Sequence, residues 1–179
     1  MSTKATTLVY QIKITLRDSK PPIWRRLLVS ESTALYKLHQ IIQVAMGWTD
    51  SHLHQFIIEN KHYSIPSPDD WEPVLDERHY HLKEIVPSEK YKFDYVYDFG
   101  DSWDHEILVE KILPIESGVK YPLCIKGKRA CPPEDVGGTW GYDSFLKAMS
   151  DPNHKEHDSY FDPEEFSIEE INRVLHQIK

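Results

Sequence analysis

The 179-residue sequence predicts a single α+β domain: a mostly antiparallel sheet with helices packed on one face or at its ends. Three observations carry this. Several short runs alternate apolar with polar residues, the period-2 signature of strands with one buried face. The first two runs are joined too closely for a parallel crossover, so they pair antiparallel. Two other segments repeat their apolar residues at helical spacing. At roughly 100–200 residues per domain, one domain spans 1–179 with its core from about 8 to 178, and it needs neither metal nor disulfide to hold together.

In chain order, Leu8, Tyr10, Ile12, Ile14 and Leu16 alternate with Val9, Gln11, Lys13 and Thr15 as a first strand. Pro21-Pro22 breaks it, since proline fixes φ and removes a ladder donor. Residues 23–29 form a second strand, with Arg25 and Arg26 on opposite faces, so one of them needs a sheet edge or an acidic partner. From Ala34 the period becomes helical. Leu35, Leu38, Ile42, Ala45 and Met46 share one face, and Lys37, Gln40 and Gln43 the other. Ser32 or Thr33 caps this helix and Gly47 stops it in the left-handed region, with Trp48 folding back. Residues 53–59 and 62–65 read as a hairpin around Asn60-Lys61. Residues 66–78, with three prolines, several acids and Trp71, read as a surface loop, and 82–86 as one helical turn. Tyr91, Phe93, Tyr95 and Tyr97 mark an aromatic strand whose hairpin partner is 103–112. Residues 121–125 add a strand, 126–140 a constrained loop and 143–149 a helix ended by Asp151-Pro152. A final helix starts at Ser167, where Ser167 and Glu170 make a capping box and Ile168, Ile171, Leu175 and Ile178 form the buried stripe.

Composition narrows the function classes. The net charge of −8 argues against a large phosphate-binding face. No apolar run approaches the ~20 residues of a membrane helix, and the polar stretch 1–7 is unlike a signal peptide. Two cysteines without an export signal imply reduced thiols and a cytoplasmic location. The P-loop, the dinucleotide fingerprint, the zincin helix and the nucleophile elbow are all missing from the sequence.

Four features are dense enough to carry chemistry. His52 and His54 project from one face if the strand begins by His52, which offers two imidazoles to a metal, or else they cap neighbouring backbone. In Asp98-Phe99-Gly100-Asp101-Ser102-Trp103-Asp104-His105, Asp101 and His105 form an Asp–His pair, or Asp98 and Asp101 hold the turn while Phe99 and Trp103 enter the core. Cys131-Pro132-Pro133-Glu134-Asp135-Val136-Gly137-Gly138 fixes two acids on a stiff backbone, as pre-ordered binding loops do. Cys124 and Cys131 with His154 and His157 fit no usual zinc spacing and read better as small buried groups. Lys120, Lys126, Lys128 and Arg129 make a basic cluster that either holds an anion or pairs with the acidic stretch 143–170.

Together Pro22-Ile23-Trp24-Arg25-Arg26, Leu38-His39, Gly47-Trp48, His52-Leu53-His54-Gln55-Phe56, Tyr97-Asp98-Phe99-Gly100-Asp101-Ser102-Trp103-Asp104-His105 and Ala130-Cys131-Pro132-Pro133-Glu134-Asp135-Val136-Gly137-Gly138 with Gly141-Tyr142 form an ordered series. In that order they resemble the plasmid pRi ORF-three-like family, over nearly the whole chain. The resemblance implies one α+β domain, sometimes fused to other modules, and no established activity. Its motif positions fall on Trp24, Arg25, His39, His52, His54, Asp98, Asp101, Trp103, His105, Cys131, Glu134 and Asp135.

The expectation is therefore a cytoplasmic binding or interaction domain for a small molecule or a protein. Its single cleft would be walled by Trp24, Trp48 and Trp103 and furnished with Arg25, Asp98, Asp101, His105, Glu134 and Asp135. The alternative is a metal-assisted hydrolase in which His52, His54 and His105 hold Zn or Mn and a bound water attacks. A weaker alternative is a nucleic-acid accessory protein using Lys126, Lys128 and Arg129.

Overall fold

Alternation along the strands decides which face of the sheet is dry. In a computed structural model describing residues 7–178, eight strands form one sheet in the order β5-β4-β3-β6-β7-β1-β2-β8. They are β1 (Leu8–Leu16), β2 (Trp24–Ser30), β3 (His54–Ile58), β4 (Lys61–Ser64), β5 (Leu75–Asp76), β6 (Lys92–Tyr97), β7 (Trp103–Pro114) and β8 (Leu123–Lys128). Every pairing is antiparallel except β4 with β5. The helices are α1 (Leu35–Met46), the single turn α2 (Leu82–Ile85), α3 (Gly138–Ser150) and α4 (Ile168–Leu175). The α+β expectation holds. The stretch 1–6 and Lys179 lie outside the described residues.

The inner face carries Ile12, Ile14 and Leu16 of β1, Leu27 and Val29 of β2, Phe56 of β3, Phe93, Tyr95 and Tyr97 of β6, and Trp103, His105 and Ile107 of β7, all buried. Onto it α1 lays Leu35, Leu38, Ile41, Ile42 and Ala45, which closes the core. The outer face is a wet ladder of ion pairs, Arg17–Asp94 at 2.7 Å, Lys92–Glu106 at 3.1 Å and Arg26–Glu110 at 2.6 Å, as an antiparallel sheet with one solvated face allows. Glu110 is thus the acidic partner expected for one of the two arginines.

Several local expectations need correction. Ala34, not Ser32 or Thr33, is the N-cap of α1, and no side chain caps it. Its first amides are served by tertiary contact instead, the Leu35 amide donating to the Tyr80 carbonyl. Gln43 is buried, because its amide has polar partners in the core. The β3–β4 turn is Glu59-Asn60, both at positive φ, one residue earlier than read from sequence. The loop 66–78 ends in β5 and a 3-10 turn, while 126–128 extend β8 and 138–140 open α3. Phe99 is half-exposed, outside the core. Only half of the expected capping box forms at α4, with Ser167 accepting the Glu170 amide.

One position on the rim of β8 is capped by a side chain. Asn172 of α4 accepts the Cys124 amide at 2.7 Å and donates to the Cys124 carbonyl at 2.9 Å, so its carboxamide stands in for a ninth strand. Asn172→Ala strands both groups and is expected to cost about 1–3 kcal/mol, read as a lower urea midpoint with unchanged slope. An unaltered midpoint would mean that water satisfies this edge equally well.

Candidate functional site

Three turns meet at one end of the sheet's inner face. Gly47, at φ 115°, takes the left-handed position that ends α1, and the Trp48 amide donates back to Gln43. The Trp48 indole then turns into the core, 5.0 Å from the Tyr97 ring and 6.0 Å from Trp103, with Nε1 donating to the Pro132 carbonyl at 3.0 Å. That bond ties the residue after α1 to the di-proline segment. In the β6–β7 turn, Asp98 Oδ1 accepts the amides of Gly100 and Asp101 at 3.0 and 3.3 Å. Asp101 in turn accepts the Gly137 amide at 3.0 Å. At Gly138 (φ 67°) any Cβ would lie 2.6 Å from the Asp101 carbonyl oxygen, which is why the start of α3 can lie against this turn only as glycine.

The convergence assembles an imidazole among three carboxylates. His52 Nε2 lies 2.9 Å from Asp135 Oδ1, 3.6 Å from Asp98 Oδ2 and 3.9 Å from Glu134 Oε2. This nitrogen is sealed from solvent yet makes no hydrogen bond, because even the close Asp135 contact lacks hydrogen-bond geometry. Glu134 is held from its other side. Its Oε1 accepts the Thr49 amide at 2.9 Å, the Thr49 hydroxyl at 3.1 Å and the Tyr97 hydroxyl at 3.1 Å. Burial, with the Glu134 charge adding to it, raises the Tyr97 phenol above its ordinary pKa, so it remains a donor. Asp98 is buried and Asp135 largely exposed, so the cluster opens on one side.

A second cluster lies on the other side of the same 48–52 turn. Gln43 Nε2 donates to the Tyr95 hydroxyl at 3.1 Å, and that hydroxyl donates to His39 Nδ1 at 2.8 Å. His39 Nε2–H donates to Asp50 at 2.8 Å, and the Asp50 amide returns to Gln43 Oε1 at 2.8 Å, closing the circuit. These directions require a neutral His39. Burial, and then the facing His54 ring, lower its pKa to about 4, which agrees. His54 stacks on His39 with centroids 3.3 Å apart and planes 4° from parallel, and its Nε2 is 2.9 Å from both oxygens of the fully buried Glu77.

The structure brings together His52, Asp98, Asp101, Glu134 and Asp135 from the sequence expectations, buries Trp48 and Trp103 in the core beside them instead of walling a cleft with them, and separates the rest. Trp24 lies on the outer face between Lys13 and Arg26, because β2 alternation turns it away from the core, so it walls no cleft. Arg25 faces inward, but four of its five guanidinium N–H groups donate to the carbonyls of Ala45, Met46, Trp24 and Lys128, so it pins backbone away from the His52 cluster. His105 points into the sealed face beneath Trp48, its Nδ1–H donating to the Tyr95 carbonyl, and does not pair with Asp101. Nor do His52, His54 and His105 converge. The strand begins only at His54, so His52 turns to Asp98 and Asp135 while His54 joins His39 and Asp50, and His105 joins neither group. Burial raises the pKa of both thiols, Cys131 to about 12, and the Cys124 thiol donates to the Lys126 carbonyl. Of the basic cluster, Arg129 pairs with Glu164 at 2.7 Å and Lys120 donates to the His176 carbonyl.

Thr49, Ser51 (whose amide donates to the Tyr97 hydroxyl at 3.0 Å), Tyr97, Asp50 and Glu77 are the participants that sequence reasoning missed. The polar run 49–52 directly after a helix-stopping glycine was a signal for the first two and Asp50. Tyr97 looked like one more core aromatic, and Glu77 like one more loop acid.

A mostly antiparallel eight-stranded sheet with its helices over one face, and an acid–imidazole cluster built from three turns at one end, define the class. The chain belongs to the plasmid pRiA4b ORF-3-like protein family, whose model matches residues 8–174. It is 39% identical over 150 residues to the uncharacterised protein y4hQ of Sinorhizobium fredii (strain NBRC 101917 / NGR234), covering 83% of this chain and 77% of that protein. The crystal structure of MM3350 from Methanosarcina mazei Go1, a protein of unknown function, is similar as well, with a TM-score of 0.85 and 36% identity over 94% of this chain and 98% of that one.

Proposed function

We propose that the domain is a binding module whose pocket takes one divalent cation through His52 Nε2 and the carboxylates of Asp98, Glu134 and Asp135. The observation that carries this reading is the solvent-sealed His52 nitrogen, left without a hydrogen bond among three acids. Unpaired buried polar atoms are costly, and a cation would satisfy this nitrogen and offset the repulsion among the carboxylates together. A mixed imidazole and carboxylate set suits Zn or Mn better than a soft thiolate-seeking metal. The unpaired thiols Cys124 and Cys131 support a cytoplasmic setting. The engaged Arg129 and Lys120, with the net charge of −8, weigh against nucleic acid. No helix among the described residues is long and apolar enough to cross a membrane.

Titration of the apo protein with Mn, followed by electron paramagnetic resonance and calorimetry, tests the reading. One ion should bind per chain, and His52→Ala or Asp98→Asn should weaken it by at least about ten-fold. Absent binding, or binding indifferent to both variants, would reject it. The exposure of Asp135 favours a second reading, hydrolysis, because it leaves the cation's open side to water and substrate. That reading requires Mn- or Zn-dependent turnover of an ester or phosphodiester.

A further inference from the structure

Beside the pocket runs a groove of about 530 Å³, within the ~300–1,000 Å³ range of ligand sites. It begins at Leu53, which follows His52, and at Phe99, which follows Asp98. Ile65 and Trp71 continue its lining. All four are exposed, Trp71 completely, so apolar surface is concentrated here in an open trough and not in a closed cavity. Trp71 is flanked in sequence by Asp70 and Glu72, and with Asp69 these acids also line the trough. Among the described residues neither a lysine nor an arginine lines it, and its one basic side chain, His62, faces Gln55 at 3.0 Å. Pro66, Pro68 and Pro73 stiffen the segment that presents the indole, which limits what binding would cost in ordering.

We propose that this trough docks an extended segment of a partner protein in which apolar side chains alternate with arginine or lysine. The charge pattern selects the occupant: acids without compensating cations repel an acidic segment and attract a basic one. The rings of Trp71 and Phe99 offer faces on which a guanidinium stacks, and Leu53 and Ile65 take the apolar side chains. An open trough suits an extended chain better than a small amine, which would stay mostly solvated in it. The proposal is independent of any cation at His52.

The test is calorimetric titration of the whole protein with three synthetic octapeptides, (Arg-Leu)4, (Gln-Leu)4 and (Arg-Gly)4, in chelator and again with Mn. Only (Arg-Leu)4 should bind well, equally in both conditions, and Trp71→Ala or Phe99→Ala should each weaken it about ten-fold without altering net charge. Both side chains are exposed, so the variants should keep the parent's circular dichroism and Mn affinity. Equal binding of (Arg-Gly)4 would reduce the effect to bulk charge and overturn the proposal. So would binding unchanged in both variants, free arginine amide binding as tightly as the peptide, or a self-associated protein whose contact the peptide cannot displace. Because Mn affinity is read separately, failure of the trough and failure of the cation site give different results.

Discussion

Between pH 6.5 and 4 the protein is expected to lose about 3 kcal/mol of stability for each of His39 and His105. Burial is the main cause in both rings, lowering each pKa from 6.5 to about 4. In that window the unfolded chain binds protons that the folded chain refuses, so stability rises with pH. The full contribution is present above pH 6.5 and is lost as pH falls through the folded value near 4. Urea unfolding at pH 7, 6, 5 and 4.5 measures it over a range where most carboxylates are still charged. His105→Phe should flatten its own share of the slope while leaving that of His39. A stability that stays level from pH 7 to 4.5 would show that the rings take up protons as readily in the folded as in the unfolded chain, and would refute the direction of the Tyr95–His39–Asp50 bonds at the lower pH.

Arg25→Met should cost about 3–5 kcal/mol. Arg25 is 2% exposed, and its guanidinium has no carboxylate partner among the described residues. Its Nε donates to the Ala45 carbonyl at 2.6 Å and Nη2 to Met46 at 3.3 Å, groups that the end of α1 leaves without helical partners. Nη1 reaches the carbonyls of Trp24 and Lys128 on β2 and β8. One side chain therefore pins a helix end to two strands, with its plane against Phe166. Methionine fills similar volume but strands several carbonyls. Lysine should recover less than half the loss, because an ammonium cannot span this fork of acceptors. If Arg25→Met unfolds at the parent's urea midpoint, water must be replacing the guanidinium.

Where burial followed alternation alone, the sequence was legible. β1, β2, β6 and β7 have one face of aliphatic or aromatic residues, and α1 has its stripe. Legibility failed where tertiary contact overrode local pattern. Lys126-Gly127-Lys128 looks like loop, yet it completes β8, and glycine suits position 127 because a Cβ would come 2.9 Å from the Trp24 carbonyl oxygen and crowd the Phe166 ring. Gly137-Gly138 reads as part of a constrained loop, yet Gly138 already starts α3, where a Cβ would lie too close to the Asp101 carbonyl oxygen. The site's acids stood out as dense polar groups in aromatic surroundings. Their grouping did not, since a strand starting two residues late sends His52 and His54 to different partners. Glu77 had no sequence signal. Its burial comes from the packing of distant segments around His54.

The Asn172 seal on β8 bears on the order in which the molecule is completed. During synthesis β8 leaves the ribosome well before α4, with all of α3 and an acidic stretch between them, so the last strand spends that interval with bare amides and carbonyls along its rim. Docking of the final helix is what covers the Cys124 amide and carbonyl on that rim.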